Sequence, residues 1–213
     1  MSRIAYLSRL GRFSALVVLA STSVVTADEK GATARDQLLS TNACKGCDLA
    51  GVDLSGLNLI GASLRGARLP GANLKGSALT GADLQNAILD GADLSGAILA
   101  DANLRSARLR NATLDEAHLM MASLAGADLK FASLVGAHLN QTDLEGADLS
   151  NAVLRGSDLY SARLFFSSLR GANLVSADLT SADVAEVDAF GVISDESTTC
   201  PGHTSGPCWL RDQ

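Results

Sequence analysis

An all-β solenoid, a chain wound into short stacked coils, is the fold class that the sequence predicts. Three observations carry it. Leucines stand at 49, 54, 59 and every fifth position onward to 179, 27 consecutive pentads without a slip, and Val184 continues the register. The residue two before each leucine is nearly always small, as at Ala62, Ala67, Ala72, Ser77 and Ala82. Aromatic residues make up only 4% of a chain that is 47% apolar. Aromatic rings are the usual bulk fillers of a core, so this core is built from Leu and Ala in a narrow space.

Each competing element fails on the spacing. On a helix, five steps of about 100° leave successive leucines about 140° apart, and no face forms. On a straight strand the side chains alternate with period 2, so leucines five apart point to opposite faces. A membrane span fails because the apolar residues of the pentads never run together. What remains is a chain that bends once per pentad and always turns leucine inward. The residue two after leucine supports this: it is Gly at 51, 56, 61, 66, 71, 76 and 81, and Gly makes a positive-φ turn without steric cost. A bend repeated in one sense gives a coil, and coils stack through backbone hydrogen bonds at about 4.8 Å.

Units such as Ala82-Asp83-Leu84-Gln85-Asn86 and Ala92-Asp93-Leu94-Ser95-Gly96 resemble the A(D/N)LXX units of pentapeptide-repeat proteins. The resemblance runs from near Asp48 to near Asp188. It implies a right-handed quadrilateral β-helix with four pentads per coil, hence roughly seven coils and a rod about 34 Å long. Two departures carry expectations. Val52 and Leu57 replace the small residue, which predicts a wider or irregular first coil. Asp101, Ser106, Asn111, Glu116 and Met121 replace the glycine, which predicts a different turn geometry there.

The two ends read differently from the rod. Arg3, Arg9 and Arg12, the apolar run 13–25 and the small residues Val25-Thr26-Ala27 fit a secretory signal over 1–27, cleaved so that the mature chain starts near Asp28. The alternative is an uncleaved anchor. Export places the chain in the periplasm or outside the cell, an oxidising setting, with no membrane span after cleavage. Loss of the three arginines takes the net charge from −6 to about −9, which opposes nucleic-acid binding. Residues 28–47 are an N-terminal cap; within it 33–41 fit a short amphipathic helix, with Thr33 as N-cap, Asp36 as its partner, and Leu38 and Leu39 covering the first coil. The solenoid spans 48–188. Residues 189–213 form an irregular C-terminal cap, with Trp209 and Leu210 available to cover apolar surface. Four cysteines allow three pairings. Cys44 and Cys47 precede the rod while Cys200 and Cys208 follow it, and a disulfide needs Cα atoms within about 7 Å. With the rod length that the resemblance implies, Cys44–Cys47 and Cys200–Cys208 are the expected pairs unless the tail runs back along the rod. A redox-active Cys44/Cys47 pair is the sharper alternative, but it needs a helix N-terminus to lower the thiol pKa.

No phosphate-binding glycine loop, nucleophile elbow or zinc-helix signature occurs, and an unbroken register leaves no insertion loop for catalytic groups. Neither enzyme activity nor a cofactor is expected. With 20 residues per coil, the residues before leucine align as Ala78, Ile98, His118, His138, Asp158 and Asp178. His118, His138 and Asp158 are the candidate metal ligands. Arg68, Arg108, Arg110, Lys130 and Arg170 interleave with Asp90, Asp128 and Asp148 as a mixed-charge ladder. Met120, Met121, Phe131, Tyr160, Phe165 and Phe166 suggest an exposed contact surface. The reading that results is a non-enzymatic exported scaffold or protein-interaction module, binding a protein partner or itself through its outer faces. The alternatives are a duplex-DNA mimic that inhibits a DNA-binding enzyme, as some family members are, and a metal or redox protein.

Overall fold

The structure is a computed structural model that describes residues 27–202, 204, 205 and 208. The expected leader before Ala27, and Trp209 and Leu210, lie outside the described residues. The solenoid is a set of parallel one-residue bridges, each joining a residue to the one 20 positions on: Asp53↔Asn73, Asn73↔Asp93, Asp93↔Thr113 and so on along four ladders. Four pentads therefore close one coil. Pairing begins at Ala43 and continues through Ile193 and Thr199, so the coils extend beyond the expected 48–188 on both sides.

The backbone accounting explains the pentad letter by letter. The leucine N–H donates to the next coil, as Leu54 to the Asn73 carbonyl at 2.7 Å, and the residue before leucine donates to the previous coil, as Asn73 to the Val52 carbonyl at 3.0 Å. The residue two after leucine donates to the next coil, as Gly56 to the Lys75 carbonyl at 2.9 Å, and the small residue closes the corner, as Ala62 to the Leu59 carbonyl at 3.0 Å. One N–H per pentad is left, that of the residue just after leucine. A carboxylate or amide before the leucine accepts it: Asp83 from Gln85, Asp93 from Ser95, Asn173 from Val175 and Asp178 from Thr180. The D/N of the repeat is an Asx turn that satisfies the fifth donor. Where the residue before leucine does not accept, a neighbour from the previous coil sometimes does, as Asp90 for Arg110 and Asp115 for Val135.

The interior holds the leucines and the small residues, nearly all fully buried. Each leucine contributes on the order of 2 kcal/mol of apolar burial. Most polar intrusions are paired inward: the Ser77 and Ser157 hydroxyls donate to the carbonyls of Leu74 and Leu154, and that of Thr142 to the Leu119 carbonyl, whereas the buried Ser167 hydroxyl has no hydrogen-bond partner among the described residues.

Two sequence expectations about the rod are corrected. Asp101, Ser106, Asn111, Glu116 and Met121 adopt φ of 54–59°, in the same left-handed region as Gly81 and Gly91 at 63° and 65°. The turn type does not change. The coil-to-coil bond of that residue, such as Met121 N–H to the Asn140 carbonyl at 3.1 Å, holds the corner and offsets a cost of about 1–2 kcal/mol for a side chain there. Nor is the first coil irregular: Asp48, Asp53 and Asn58 pair in register with Arg68, Asn73 and Ala78, while Val52 and Leu57 are half-buried and pack against the core.

The N-terminal helix α1 runs Ala27–Thr41, so Thr33 lies inside it rather than at its N-cap. Leu38 is fully buried over the first coil, whereas Leu39 is exposed. Asn42 ends the helix with φ 53° and donates to the Leu38 carbonyl at 2.8 Å, a left-handed C-terminal cap. Its side chain donates to the Ile60 carbonyl, tying the cap to the rod. Cys44 and Cys47 are bonded, with Cα atoms 5.3 Å apart. Cys44 sits five before Leu49 and its N–H donates to the Ser63 carbonyl; Cys47 sits two before Leu49 and its carbonyl accepts from Arg68. The pair thus takes the leucine and alanine places of one more pentad, with Lys45-Gly46 as its corner. At the far end one extra residue in 194–198 shifts the pairing to Asp178↔Thr199, and Cys200 falls in the next leucine place. It is bonded to Cys208, with Cα atoms 5.6 Å apart. A short antiparallel pair, β1 (Thr199–Cys200) and β2 (Thr204–Ser205), finishes that end. No helix among the described residues is long and apolar enough to cross a membrane.

Two outcomes test this reading of the fold. Replacing Cys44→Leu with Cys47→Ala restores the pentad and loses only a short cross-link, about 2 kcal/mol. Cys44→Ser with Cys47→Ser also puts one hydroxyl in a fully buried place and a second at the half-buried edge of the core, and unfolds at clearly lower denaturant. Equal midpoints for the two variants would contradict the core placement. The second outcome concerns the Asx turns. The Ser95 hydroxyl and N–H hold Asp93 below the ordinary carboxylate range against its partial burial, and Ser55 does the same for Asp53. A lowered folded pKa contributes stability above the unfolded value near 3.9, and that contribution is lost as pH falls through the folded value. The unfolding midpoint is therefore flat from about pH 7 to 5 and declines below about pH 4, less steeply in Asp93→Asn with Asp53→Asn.

Candidate interaction face

The ladder Ala78, Ile98, His118, His138, Asp158, Asp178 is continuous through five successive bridges. It brings together the residues that the 20-residue spacing aligned. The two imidazoles stack, with ring centroids 4.7 Å apart and planes 8° from parallel. Ile98, Ala100, His118, Met120, His138 and Asn140 line an open groove of about 430 Å³. Ile98 and Met120 are exposed at 43% and 48%, large values for apolar side chains that neighbour one another. The groove runs along the ladder and the corner that follows it. Ile98, His118 and His138 forgo the Asx turn, and among the described residues no acceptor is recorded for the N–H groups of Ala100, Met120 and Asn140.

In the structure His118, His138 and Asp158 do not converge on one point. Parallel stacked rings direct their lone pairs alongside one another, not toward a common point. Asp158 is turned elsewhere: one oxygen accepts from the Tyr160 N–H at 3.0 Å and the other from the Asn140 amide. Among the described residues no group of three or more His, Cys, Asp or Glu side chains is placed to hold a metal ion. The Cys44/Cys47 pair follows the C-terminal end of α1 and is built into the core, which is not the helix N-terminus that activates a redox thiol.

The charged ladder is a string of surface ion pairs. Arg68 meets Asp48, Arg108 meets Asp90, Arg110 meets Asp128, Lys130 meets Asp148 and Arg170 meets Asp188. Each contributes little alone. Their joint effect is to cancel field on that face, and Arg170 holds Asp188 below the ordinary carboxylate range. The expected contact surface of Met120, Met121, Phe131, Tyr160, Phe165 and Phe166 does not form as one patch. The coil places Met120, Met121 and Tyr160 at one corner, Phe131 at another beside Lys130, and Phe165 and Phe166 at a third, where their rings are 4.0 Å apart. Ile98, absent from that group, is the residue that joins Met120 to the histidines. The signal was in the sequence, because 98 and 118 differ by one coil. A second groove of about 470 Å³ lies between α1 and the first coil, with Arg35 donating across it to the Asp53 carbonyl at 3.0 Å.

A search of curated proteins finds no match. Among solved structures, the pentapeptide repeat protein Rfr23 from the cyanobacterium Cyanothece 51142 is 25% identical over 78% of this chain and 97% of its own, with a TM-score of 0.33. HetL from Nostoc sp. strain PCC 7120, described as involved in heterocyst differentiation regulation, is 27% identical over 82% of this chain and 98% of its own, with a TM-score of 0.29. A pentapeptide repeat protein of the Arabidopsis thaliana thylakoid lumen is 32% identical over 50% of this chain and 71% of its own, with a TM-score of 0.36. The family model for pentapeptide repeats matches in eight copies, over residues 47–86, 77–115, 122–159 and 157–193. With its pentad register, its four-pentad coils and that match, the chain belongs to the pentapeptide-repeat family.

Proposed function

We propose that this protein is an exported, non-enzymatic scaffold that binds a protein partner through the outer faces of its rod. The observation that supports it most is the division of labour in each pentad. Inward residues and backbone bonds fill the rod, and the outward residue of each ladder varies from Asn to Ile to His to Arg without breaking a bridge. Outward positions are thus free to specify a partner, and the packed interior offers no ligand-sized site. The leader-like residues 1–27 and the two disulfides favour export. The mixed, paired charges of the Arg68 to Arg170 face weigh against mimicry of duplex DNA, which calls for an unbroken acidic surface.

The test is to express the full chain with a C-terminal tag, cross-link, and analyse the exported fraction. The expected product starts near Asp28, carries no free thiol, and recovers a saturable protein partner. That partner is lost in one variant among four in which each ladder of outward residues is changed in turn to Thr. An exported chain that recovers the same proteins in all four variants, or none in the wild type, would overturn the proposal.

A further inference from the structure

Resting on that interaction reading, the geometry points to the ladder from Ile98 to Asp178 as the docking face, and to an extended peptide segment with an apolar residue and a lysine or arginine as its occupant. The apolar half is the groove of Ile98, Met120 and the stacked His118 and His138. The acidic half continues the same ladder: Asp158 bridges Asp178 on the adjacent coil. Two carboxylates side by side on neighbouring strands repel each other. Elsewhere on the rod stacked acids have cations at hand. Asp128 and Asp148 are also bridge partners, and Arg110 and Lys130 pair with them. Among the described residues neither Asp158 nor Asp178 is in an ion pair. Their hydrogen bonds are to the N–H groups of Tyr160 and Thr180 and the Asn140 amide, none of which carries charge. The face therefore keeps an uncompensated negative pair directly beside an exposed apolar groove.

The occupant follows from charge and spacing. A cation between Asp158 and Asp178 supplies what the acid pair lacks, and an aliphatic or aromatic side chain covers Ile98 and Met120. The two anchor points are about three coils apart, roughly 14 Å at 4.8 Å per coil, which an extended chain crosses in about four residues at 3.3 Å each. The partner segment thus places its basic residue about four positions from its apolar one. The imidazoles between them offer a flat, amphipathic bridge. Burying the cation against two carboxylates makes the contact specific and salt-dependent.

Display of random 12-residue peptides against the full, oxidised chain tests this. The expected selection pairs an apolar residue with Lys or Arg about four positions away. A synthetic copy of a selected peptide loses tenfold or more in affinity to Asp158→Asn with Asp178→Asn, and to Ile98→Ser with Met120→Ser. It binds Phe131→Ser, at a different corner, as it binds the wild type. The double Asn variant keeps both acceptors for the Tyr160 and Thr180 N–H groups and melts above the wild type, which separates lost binding from lost fold. Selected peptides that lack a cation, or that bind the ladder variants unchanged, overturn the assignment of this face while leaving partner binding standing. Failure to select any peptide overturns it as well, and the cross-linking test then decides whether the wider proposal falls with it.

Discussion

Closure of the coil in 20 residues is the constraint on which everything else depends. A leucine side chain inside a square this narrow favours Ala, Ser or Thr at the neighbouring inward position, as at Ala82, Ser77 and Thr142, and the larger Val52 and Leu57 of the first coil stay only half-buried there. The corner must then turn with a left-handed residue, and the fifth N–H must find a side-chain acceptor or water. Leucine, small residue, Asx and glycine are therefore one solution to one packing problem. Because every coil solves it in the same way, stability is distributed along the rod as a sum of similar layers and interfaces. It is not concentrated in a single core.

A stack of layers has the defect that its first and last layers are open, and both ends here are handled by the same device. Cys44 and Cys200 each occupy a leucine place in a terminal coil, and each is cross-linked to a nearby cysteine. Where a further coil would have supplied hydrogen bonds and buried surface, a covalent bond fixes the last corner instead. Helix α1 with Leu38 covers one end and the β1–β2 pair finishes the other, so that neither presents a long bare strand edge. An oxidising compartment is a condition for this arrangement to hold.

The rod was legible because its signal repeats: one leucine position determines the other 26 in that run, and the ladder at 118, 138 and 158 follows by counting coils. The ends were less so. Cys44-Lys45-Gly46-Cys47 reads as a motif before the repeat, and only the hydrogen bonds of Cys44 and Cys47 place it in the register. The turns at Asp101 to Met121 misled because glycine is the inexpensive residue at a left-handed corner without being the required one. The exposed aromatics misled for a different reason. Closeness in sequence on a coil means different corners, so Phe131 and Met121 separate while Ile98 and His118 meet.

The surface follows from this economy. Asp and Asn before leucine serve the fold, and the ladder of Ile98, His118 and His138 does without those local hydrogen bonds, as Ile88 and Val153 do on other ladders. The next two positions return to Asp, but without a nearby cation. The central claim is that inward residues carry most of the order, while an outward residue adds at most a local hydrogen bond and is free to vary. Its most direct test compares unfolding of two variants. One replaces Ile98, His118, His138, Asp158 and Asp178 together by Thr; the other is the single change Leu119→Ala. The account predicts a shift below about 1 kcal/mol for the five outward changes and a loss of about 3 kcal/mol for the one inward change. An outward variant that loses as much stability as Leu119→Ala would contradict it.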